Sequence, residues 1–177
     1  EEACRSWNQF RDQGLLTVPI AVNVAAAQFQ APAFVETVAS ILDESGVPPE
    51  MIELEITEEG TFGNPEEVAA ILDALKDLGL SLAIDDFGTG YSSLAYLTTF
   101  PVDVLKIDQR FVREMETSER DASIVRMISV LGRRLGFQVV GEGVETQTQR
   151  DLLRRSGCHV LQGYLFSRPL PKADYMN

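Results

Sequence analysis

Short apolar runs and longer helical patterns alternate along the whole 177-residue chain. Apolar segments of strand length are predicted at residues 18–24, 51–57, 81–85, 102–108, 137–141 and 158–164. Helical patterns are predicted at residues 1–13, 33–44, 65–78, 92–97, 120–135 and 147–156. This alternation predicts an α/β fold of parallel strands joined by helical crossovers. No linker or low-complexity segment interrupts it, so one domain is expected over residues 1–177.

A polar residue stands near the end of every predicted strand. These residues are Asn23, Glu55, Asp85, Lys106, Glu142 and Gln162. A (βα)8 barrel repeats about every 31 residues and places its active site at the carboxyl ends of its strands. An open doubly wound sheet is the alternative, but it concentrates ligands at one switch point. We therefore predict a TIM-like (βα)8 barrel, of which this chain covers about six βα units, with the first two strands missing.

The third predicted strand leads into two adjacent carboxylates, Asp85 and Asp86, and then into a glycine-rich segment. Neighbouring side chains on a regular strand point to opposite faces. Both aspartates can therefore reach one site only where the strand ends and the backbone turns, and Gly88 and Gly90 predict such a turn. The alternative is a loop in which one aspartate caps the next helix.

Composition and charge narrow the chemistry. The net charge is −12, which argues against a broad nucleic-acid interface but allows a compact anionic substrate where metal ions reverse the local field. The sequence has no membrane-spanning run and no signal peptide, so we expect a cytoplasmic protein without membrane contact, with Cys4 and Cys158 as free thiols. His159 is the only histidine, which removes most triad and zinc chemistry.

Carboxylate and amide oxygens dominate the strand ends. The candidate metal ligands are Asn23, Glu55, Asp85, Asp86 and Glu142. Carboxylates at such density repel one another unless cations neutralise them, and oxygen ligands favour Mg²⁺ or Mn²⁺. Two such ions about 3.5–4 Å apart suit in-line attack at phosphorus. Lys106 is then a candidate catalytic cation that positions water or stabilises developing charge.

Each of these residues has a simpler interpretation. Glu53 and Glu55 could be surface residues of an edge strand, although strands in a parallel α/β sheet are usually buried on both faces. Lys106 could form a structural ion pair with Asp108. Glu142 and Glu145 could be acidic residues that favour the start of the following helix.

The motifs at these positions resemble the EAL-domain family of cyclic-di-GMP phosphodiesterases. They are Val-Asn-Val at 22–24, Glu-Leu-Glu-Ile-Thr-Glu at 53–58, Asp-Asp-Phe-Gly-Thr-Gly-Tyr-Ser-Ser-Leu at 85–94, Leu-Lys-Ile-Asp at 105–108, Glu-Gly-Val-Glu-Thr at 142–146 and Gln-Gly-Tyr at 162–164. The resemblance implies that the five candidate ligands hold the metals, with Asp85 bridging. It also implies that Lys106 assists the attacking water and that Glu145 supports the catalytic region. Gln162 is expected to contact substrate, and Glu58 to anchor a loop that starts at Phe87 and serves dimer communication.

The Glu-Ala-Leu motif that names the family, with its own metal-binding glutamate, is absent. It belongs to the two strands that the count lacks, so residues 1–177 are expected to be an N-terminally truncated EAL domain that is inactive alone. The predicted function of the parent is Mg²⁺- or Mn²⁺-dependent hydrolysis of cyclic-di-GMP to linear pGpG. Expected partners are cyclic-di-GMP, a second copy in a homodimer, and fused sensory or GGDEF modules. One alternative is a degenerate EAL domain that binds cyclic-di-GMP without hydrolysis. The other is a barrel lyase that uses Lys106 as a Schiff base.

Overall fold

A computed structural model describes residues 1–15, 18–61, 64–89 and 97–175. Its strands are β1 Ile20–Val24, β2 Ile52–Thr57, β3 Ser81–Phe87, β4 Val104–Ile107, β5 Gln138–Gly141 and β6 Val160–Leu161. They follow one another in a single sheet in chain order, and the registered pairs β1/β2, β4/β5 and β5/β6 are parallel. The prediction of an α/β fold with parallel strands is therefore confirmed.

Helices connect the strands as the alternation predicts. They are α1 Glu2–Asp12, α2 Ala26–Phe29, α3 Phe34–Ser45, α4 Pro65–Asp77, α5 Gln109–Glu114, α6 Glu119–Leu135, α7 Gln147–Ser156 and α8 Lys172–Tyr175, with 3-10 turns at Pro49–Met51 and Glu58–Thr61. The sequence did not predict α2 and α5, which are too short to show a helical period. The helix predicted at residues 92–97 lies outside the described residues except for Leu97.

The chain divides into two compact units. The first comprises Glu1–Ala83, Thr99–Pro101 and Leu170–Asn177, and the second comprises Ile84–Thr98 and Val102–Pro169. Fully buried side chains in the first unit include Phe29, Ile56, Leu72 and Leu75. Those in the second include Leu105, Ile107, Val112, Ile128 and Leu153. Each unit therefore has an apolar core of its own.

Helix α6 illustrates how the local sequence defines an element of the second unit. Its N-cap Ser118 accepts a hydrogen bond from the Asp121 backbone N–H, and Gly136 ends it in a left-handed conformation. Its buried positions recur every three or four residues: Ala122, Val125, Ile128, Ser129 and Gly132. That spacing directs one face of the helix toward β4 and β5.

Strand β6 is much shorter than the predicted segment 158–164. Only Val160 and Leu161 are in register with β5. The residues that follow them form backbone hydrogen bonds with Val144, in the loop after β5. There the Val144 N–H donates to the Gln162 carbonyl, and the Leu165 N–H donates to the Val144 carbonyl. Residues 162–164 therefore form a turn beside that loop instead of extending the sheet. No helix in the described part of the chain is long and apolar enough to cross a membrane.

Gly132 tests the packing of α6 on the sheet. A Cβ at this position would lie 2.5 Å from Val139 Cγ2 and 3.5 Å from Leu105 Cδ2. We predict that Gly132→Ala lowers the free energy of unfolding, because overpacking costs about 1–3 kcal/mol and outweighs a helix-propensity gain of about 1 kcal/mol. Urea unfolding measures the change. Val130→Ala, at a half-exposed position of the same helix, is the control and should change stability by less than about 0.5 kcal/mol. A stabilised Gly132→Ala variant would contradict this packing.

Candidate active site

The two adjacent aspartates lie at the carboxyl end of β3. The sequence predicted that β3 ends at Asp85, but the strand continues through Phe87. The backbone irregularity occurs at Asp86, whose φ is 55°, and this is the one non-glycine residue with positive φ in the described part of the chain. Aspartate tolerates this left-handed conformation better than most residues. The break in alternation brings both carboxylates to one place. Gly88 follows with φ 98°, while Gly90 lies outside the described residues.

Three carboxylates form a cluster at the ends of β3 and β5. One oxygen from each of Asp85, Asp86 and Glu142 lies within 4.8 Å of the other two. Lys106, on β4, is 3% exposed, and its Nζ lies 3.2 Å from Asp85 Oδ1 and 2.8 Å from Glu142 Oε1. Three neighbouring strand ends of the second unit therefore supply an acidic cluster with a buried ammonium group against it.

The electrostatics of the cluster are most evident at Asp86. Burial raises the pKa of its carboxyl group from 3.8 to about 6, assisted by a hydrogen bond with Asp108 and by the charges of Asp85 and Asp108. The Lys106 charge opposes this rise in pKa. Asp108 also accepts hydrogen bonds from the Arg110 N–H at 2.7 Å and from Arg110 Nε at 3.0 Å. The cluster of three carboxylates thus carries more negative charge than Lys106 alone neutralises. A bound cation would balance the excess.

Asn23, Glu55 and Glu58 belong to the first compact unit. Asn23 on β1 and Glu55 on β2 are register partners at the carboxyl ends of their strands. Glu55 is 6% exposed, which excludes the interpretation as an exposed edge residue. Glu53 on the same strand accepts a hydrogen bond from Ser81 Oγ at 3.0 Å. Glu58 is 1% exposed and begins the 3-10 turn Glu58–Thr61, where its backbone carbonyl accepts a hydrogen bond from Thr61 Oγ1.

Glu145 and Gln162 flank the loop that follows β5. The Glu145 N–H donates to Gln149 Oε1 at 2.7 Å, next to the capping box that Thr146 and Gln149 form at the start of α7. The Gln162 N–H donates to the Gly141 carbonyl at 2.9 Å. Both side chains are exposed, and with Glu142 they line a cavity of about 380 Å³. Glu145 therefore lies just before the N-cap Thr146, the first turn of α7 contains no acidic residue, and the Glu145 side chain lines the cavity.

The same cavity includes residues that the sequence did not single out. Gln109 and Arg113 from α5 and Tyr164 from the turn after β6 complete its wall, with Gly143 and Gly163. One feature of the sequence could have indicated helix α5, because aspartate is a common N-cap residue and Asp108 directly precedes the helix. The Asp108 side chain caps α5 by accepting a hydrogen bond from the Arg110 N–H. Residues 109 and 113 are four positions apart in this helix and therefore lie on the same side of it.

The donor set fits a hard divalent cation. The cluster offers carboxylate oxygens and contains neither histidine nor cysteine, and such ligands favour Mg²⁺ or Mn²⁺. Cys158 is unsuited to metal binding. Its thiol is buried, contacts the carbonyls of Val139 and Val160 at 3.4 Å, and has its pKa raised by burial to about 12. Cys4 is likewise a buried free thiol.

Comparisons with a family profile and with known proteins point to the same family. The EAL domain profile matches residues 1–169. The chain is 42% identical over 171 residues to the cyclic di-GMP phosphodiesterase NbdA of Pseudomonas aeruginosa, covering 97% of this chain and 22% of NbdA. It is also 42% identical over 171 residues to MucR of the same organism and covers 25% of that protein. The chain thus spans about a quarter or less of the length of these two relatives.

Solved structures agree with the sequence match. The MucR phosphodiesterase in complex with c-di-GMP, from Pseudomonas aeruginosa, superposes with a TM-score of 0.93 at 42% identity, covering 98% of this chain and 70% of that one. The manganese/cyclic-di-GMP complex of BlrP1 from Klebsiella pneumoniae gives 0.83 at 32% identity, covering 96% and 43%. A calcium complex of BlrP1 is also similar. These EAL structures have the TIM-like barrel fold, which confirms the predicted fold class.

The raised pKa of Asp86 has a consequence for the metal-free protein. Because the folded state holds this proton more tightly than the unfolded state, its contribution to stability is fully present below about pH 4 and is lost as pH rises through about 6. We predict that the difference in melting temperature between wild type and Asp86→Asn, measured in EDTA, changes across this window. The wild type should lose stability relative to the variant as pH rises. Parallel pH profiles for the two proteins would show that Asp86 titrates normally.

Proposed function

Because the chain belongs to the EAL domain family, we propose that it is the core of a metal-dependent phosphodiesterase that hydrolyses cyclic-di-GMP to linear pGpG. The observation that carries this proposal is the cluster of Asp85, Asp86 and Glu142 with Lys106 against it. Carboxylates at strand ends beside a buried cation suit chemistry at a phosphodiester, whose reaction develops negative charge on oxygen. The names of NbdA and MucR as phosphodiesterases support the reaction class.

The residues that would hold Mg²⁺ or Mn²⁺ are Asn23, Glu55, Asp85, Asp86 and Glu142. When bound, such ions lower the pKa of a water molecule and neutralise charge on the phosphate. The manganese and calcium complexes of BlrP1 support a divalent cation at an EAL site. Asn23 and Glu55 are adjacent in register, so a single pair of strand ends presents both of their side-chain oxygens.

Lys106 is proposed as the catalytic cation. Its ammonium group donates toward Asp85 and Glu142, and it can orient a water molecule toward the phosphate while stabilising charge that develops there. Glu145 supports the region of Glu142, Gln162 contacts the substrate, and Glu58 anchors the loop that begins at Phe87. The hydrogen-bonded connection between residues 141 and 162 keeps Gln162 beside the loop that carries Glu142 and Glu145.

The competing functions receive less support. A Schiff-base lyase needs a lysine amine that is free to attack a carbonyl, whereas Lys106 Nζ is engaged by Asp85 and Glu142 at 3.2 and 2.8 Å. A cyclic-di-GMP receptor without hydrolysis would be expected to have lost ligands, and the ligands that can be examined in this chain are present. We therefore favour an active enzyme.

The setting of the domain is also proposed. A parent with GGDEF or sensory modules is supported by the name of MucR, a bifunctional diguanylate cyclase and cyclic di-GMP phosphodiesterase. We propose that the domain acts in the cytoplasm as a homodimer on a free dinucleotide. The loop that starts at Phe87 is the proposed link between the dimer contact and the carboxylate cluster.

Asp85→Asn tests the reaction. We predict that the full-length parent converts cyclic-di-GMP to pGpG in Mg²⁺ or Mn²⁺ and that EDTA abolishes this activity. The substitution should abolish turnover, because it removes a carboxylate from the cluster that would hold the cation, and a neutral amide is a weaker ligand for a hard divalent cation. Chromatography of the nucleotide products measures both effects. The matched control is Asp151→Asn on α7, whose carboxylate lies 2.9 Å from Arg150 Nη2 and outside the cluster.

The 177-residue chain by itself should be inactive in the same assay, because the family resemblance places one more metal-binding glutamate outside it. Near-normal turnover by Asp85→Asn, or full activity in EDTA, would contradict the proposed function. Turnover by the 177-residue chain at the rate of the parent would show that the additional glutamate is dispensable.

A further inference from the structure

We infer that Gln149, in the first turn of α7, is a positioning residue for the proposed reaction. It holds the backbone that carries Glu145, and it thereby controls turnover without controlling the affinity of the carboxylate cluster for its cation. This inference rests on the proposed function, in which Glu145 supports the catalytic region. Gln149 is 5% exposed, although most glutamines lie at the protein surface. A glutamine that is buried in this way needs partners for its polar atoms.

The Gln149 side chain accepts two backbone hydrogen bonds from the end of the loop after β5. Its Oε1 atom accepts from the Glu145 N–H at 2.7 Å and from the Thr146 N–H at 3.0 Å. In return, the Gln149 N–H donates to Thr146 Oγ1 at 3.0 Å. The Thr146 hydroxyl also donates to Glu116 Oε1, in the connection between α5 and α6. Both the side chain and the backbone of Gln149 therefore tie this loop to α7.

Other hydrogen bonds hold the earlier part of the same loop. The Glu142 N–H donates to the Ile107 carbonyl of β4 at 3.3 Å. The Val144 N–H donates to the Gln162 carbonyl at 3.0 Å. Neither bond involves Gln149. Loss of the Gln149 side chain should therefore release the end of the loop and leave Glu142 in the carboxylate cluster.

The direction of the Glu145 carboxylate depends on the released part of the loop. This side chain is exposed and lines the same cavity as Glu142. Within the ranges that the structure describes, the Glu145 carboxylate has no hydrogen bond or ion pair of its own. Residue 145 also precedes the N-cap of α7, where the helical hydrogen bonds do not restrain the backbone. Gln149 therefore fixes the backbone from which the Glu145 side chain extends.

A simpler interpretation is that Gln149 only stabilises α7, as one half of its capping box. The two interpretations predict different results. A loss of helix stability lowers the fraction of folded protein, and any variant that loses a helix cap shares this effect. A loss of positioning lowers the turnover of the folded enzyme, and an acceptor of the same length at position 149 restores it.

Steady-state kinetics of the full-length parent with cyclic-di-GMP test the inference. Gln149→Met keeps the length of the side chain but removes the acceptor. Its kcat should fall by about 10- to 100-fold, as is typical when a group that supports a functional residue is lost. The Mn²⁺ concentration for half-maximal turnover should match that of wild type, because Glu142 keeps its own hydrogen bond to β4. Gln149→Glu retains an acceptor that suits this position of a capping box, and it should restore most of the turnover.

The control variant is Asn64→Ala, in the first compact unit. It removes the N-cap of α4, where Asn64 Oδ1 accepts from the Glu66 N–H at 3.1 Å, and should leave kcat unchanged. Hydrogen–deuterium exchange adds a readout besides activity. The peptide that contains residues 145 and 146 should exchange faster in Gln149→Met than in wild type or Gln149→Glu.

An unchanged kcat in Gln149→Met would overturn the inference, and so would an equal loss of turnover in Gln149→Glu. A parallel rise in the half-saturating Mn²⁺ concentration would also overturn it, because Gln149 would then act through the carboxylate cluster. Unaltered exchange in Gln149→Met would show that other contacts hold this backbone, with the same consequence. A wild-type parent that does not hydrolyse cyclic-di-GMP would instead refute the proposed function, and exchange alone would then decide whether Gln149 holds the loop.

Discussion

The ion-paired group of Lys106 with Asp85 and Glu142 is the interaction on which this site depends. All three side chains are largely buried, and the two Nζ–oxygen distances are 3.2 and 2.8 Å. Buried ions are tolerated only when they are paired and hydrogen-bonded, because desolvation is costly. One ammonium group cannot neutralise three clustered carboxylates. Burial raises the pKa of Asp86, and the hydrogen bond with Asp108 and the charges of Asp85 and Asp108 raise it further. The proposed divalent cation would balance this excess of negative charge.

The fold creates this concentration of charge by ending parallel strands at one edge. β3, β4 and β5 each contribute from the carboxyl end, and the loop after β5 extends the set to Glu145. Apolar packing of α6 against β4 and β5 supports the strands from behind, with Gly132 allowing the close approach. The rigid sheet bears the charged side chains, while the adjoining turns form the cavity. This division is typical of enzymes that place chemistry on the ends of barrel strands.

Much of this arrangement could be predicted from the sequence. The strand positions, the parallel alternation and the set of polar strand ends follow from short-range patterns, and the structure places Asp85, Asp86, Lys106 and Glu142 together. Other features depend on tertiary contacts that no local pattern reports. The backbone irregularity of β3 is the positive φ of Asp86, where the sequence predicted the end of the strand. The backbone hydrogen bonds of Val144 with Gln162 and Leu165 end β6 earlier than predicted. Helix α5 has only six residues, which show too little periodicity to be predicted. The sequence therefore does not indicate that Gln109 and Arg113 line the cavity beside Glu142.

We propose that the carboxylate cluster is a divalent-cation site, and titration with Mn²⁺ followed by electron paramagnetic resonance determines whether it binds the ion. The 177-residue chain should bind Mn²⁺, and Glu142→Gln should reduce the affinity by at least about tenfold, the lower end of the loss expected even for groups that only support a ligand. Glu114→Gln, at an exposed position at the end of α5, should bind as wild type. Equal Mn²⁺ affinity in wild type and Glu142→Gln, or no Mn²⁺ binding by the wild type, would contradict the claim.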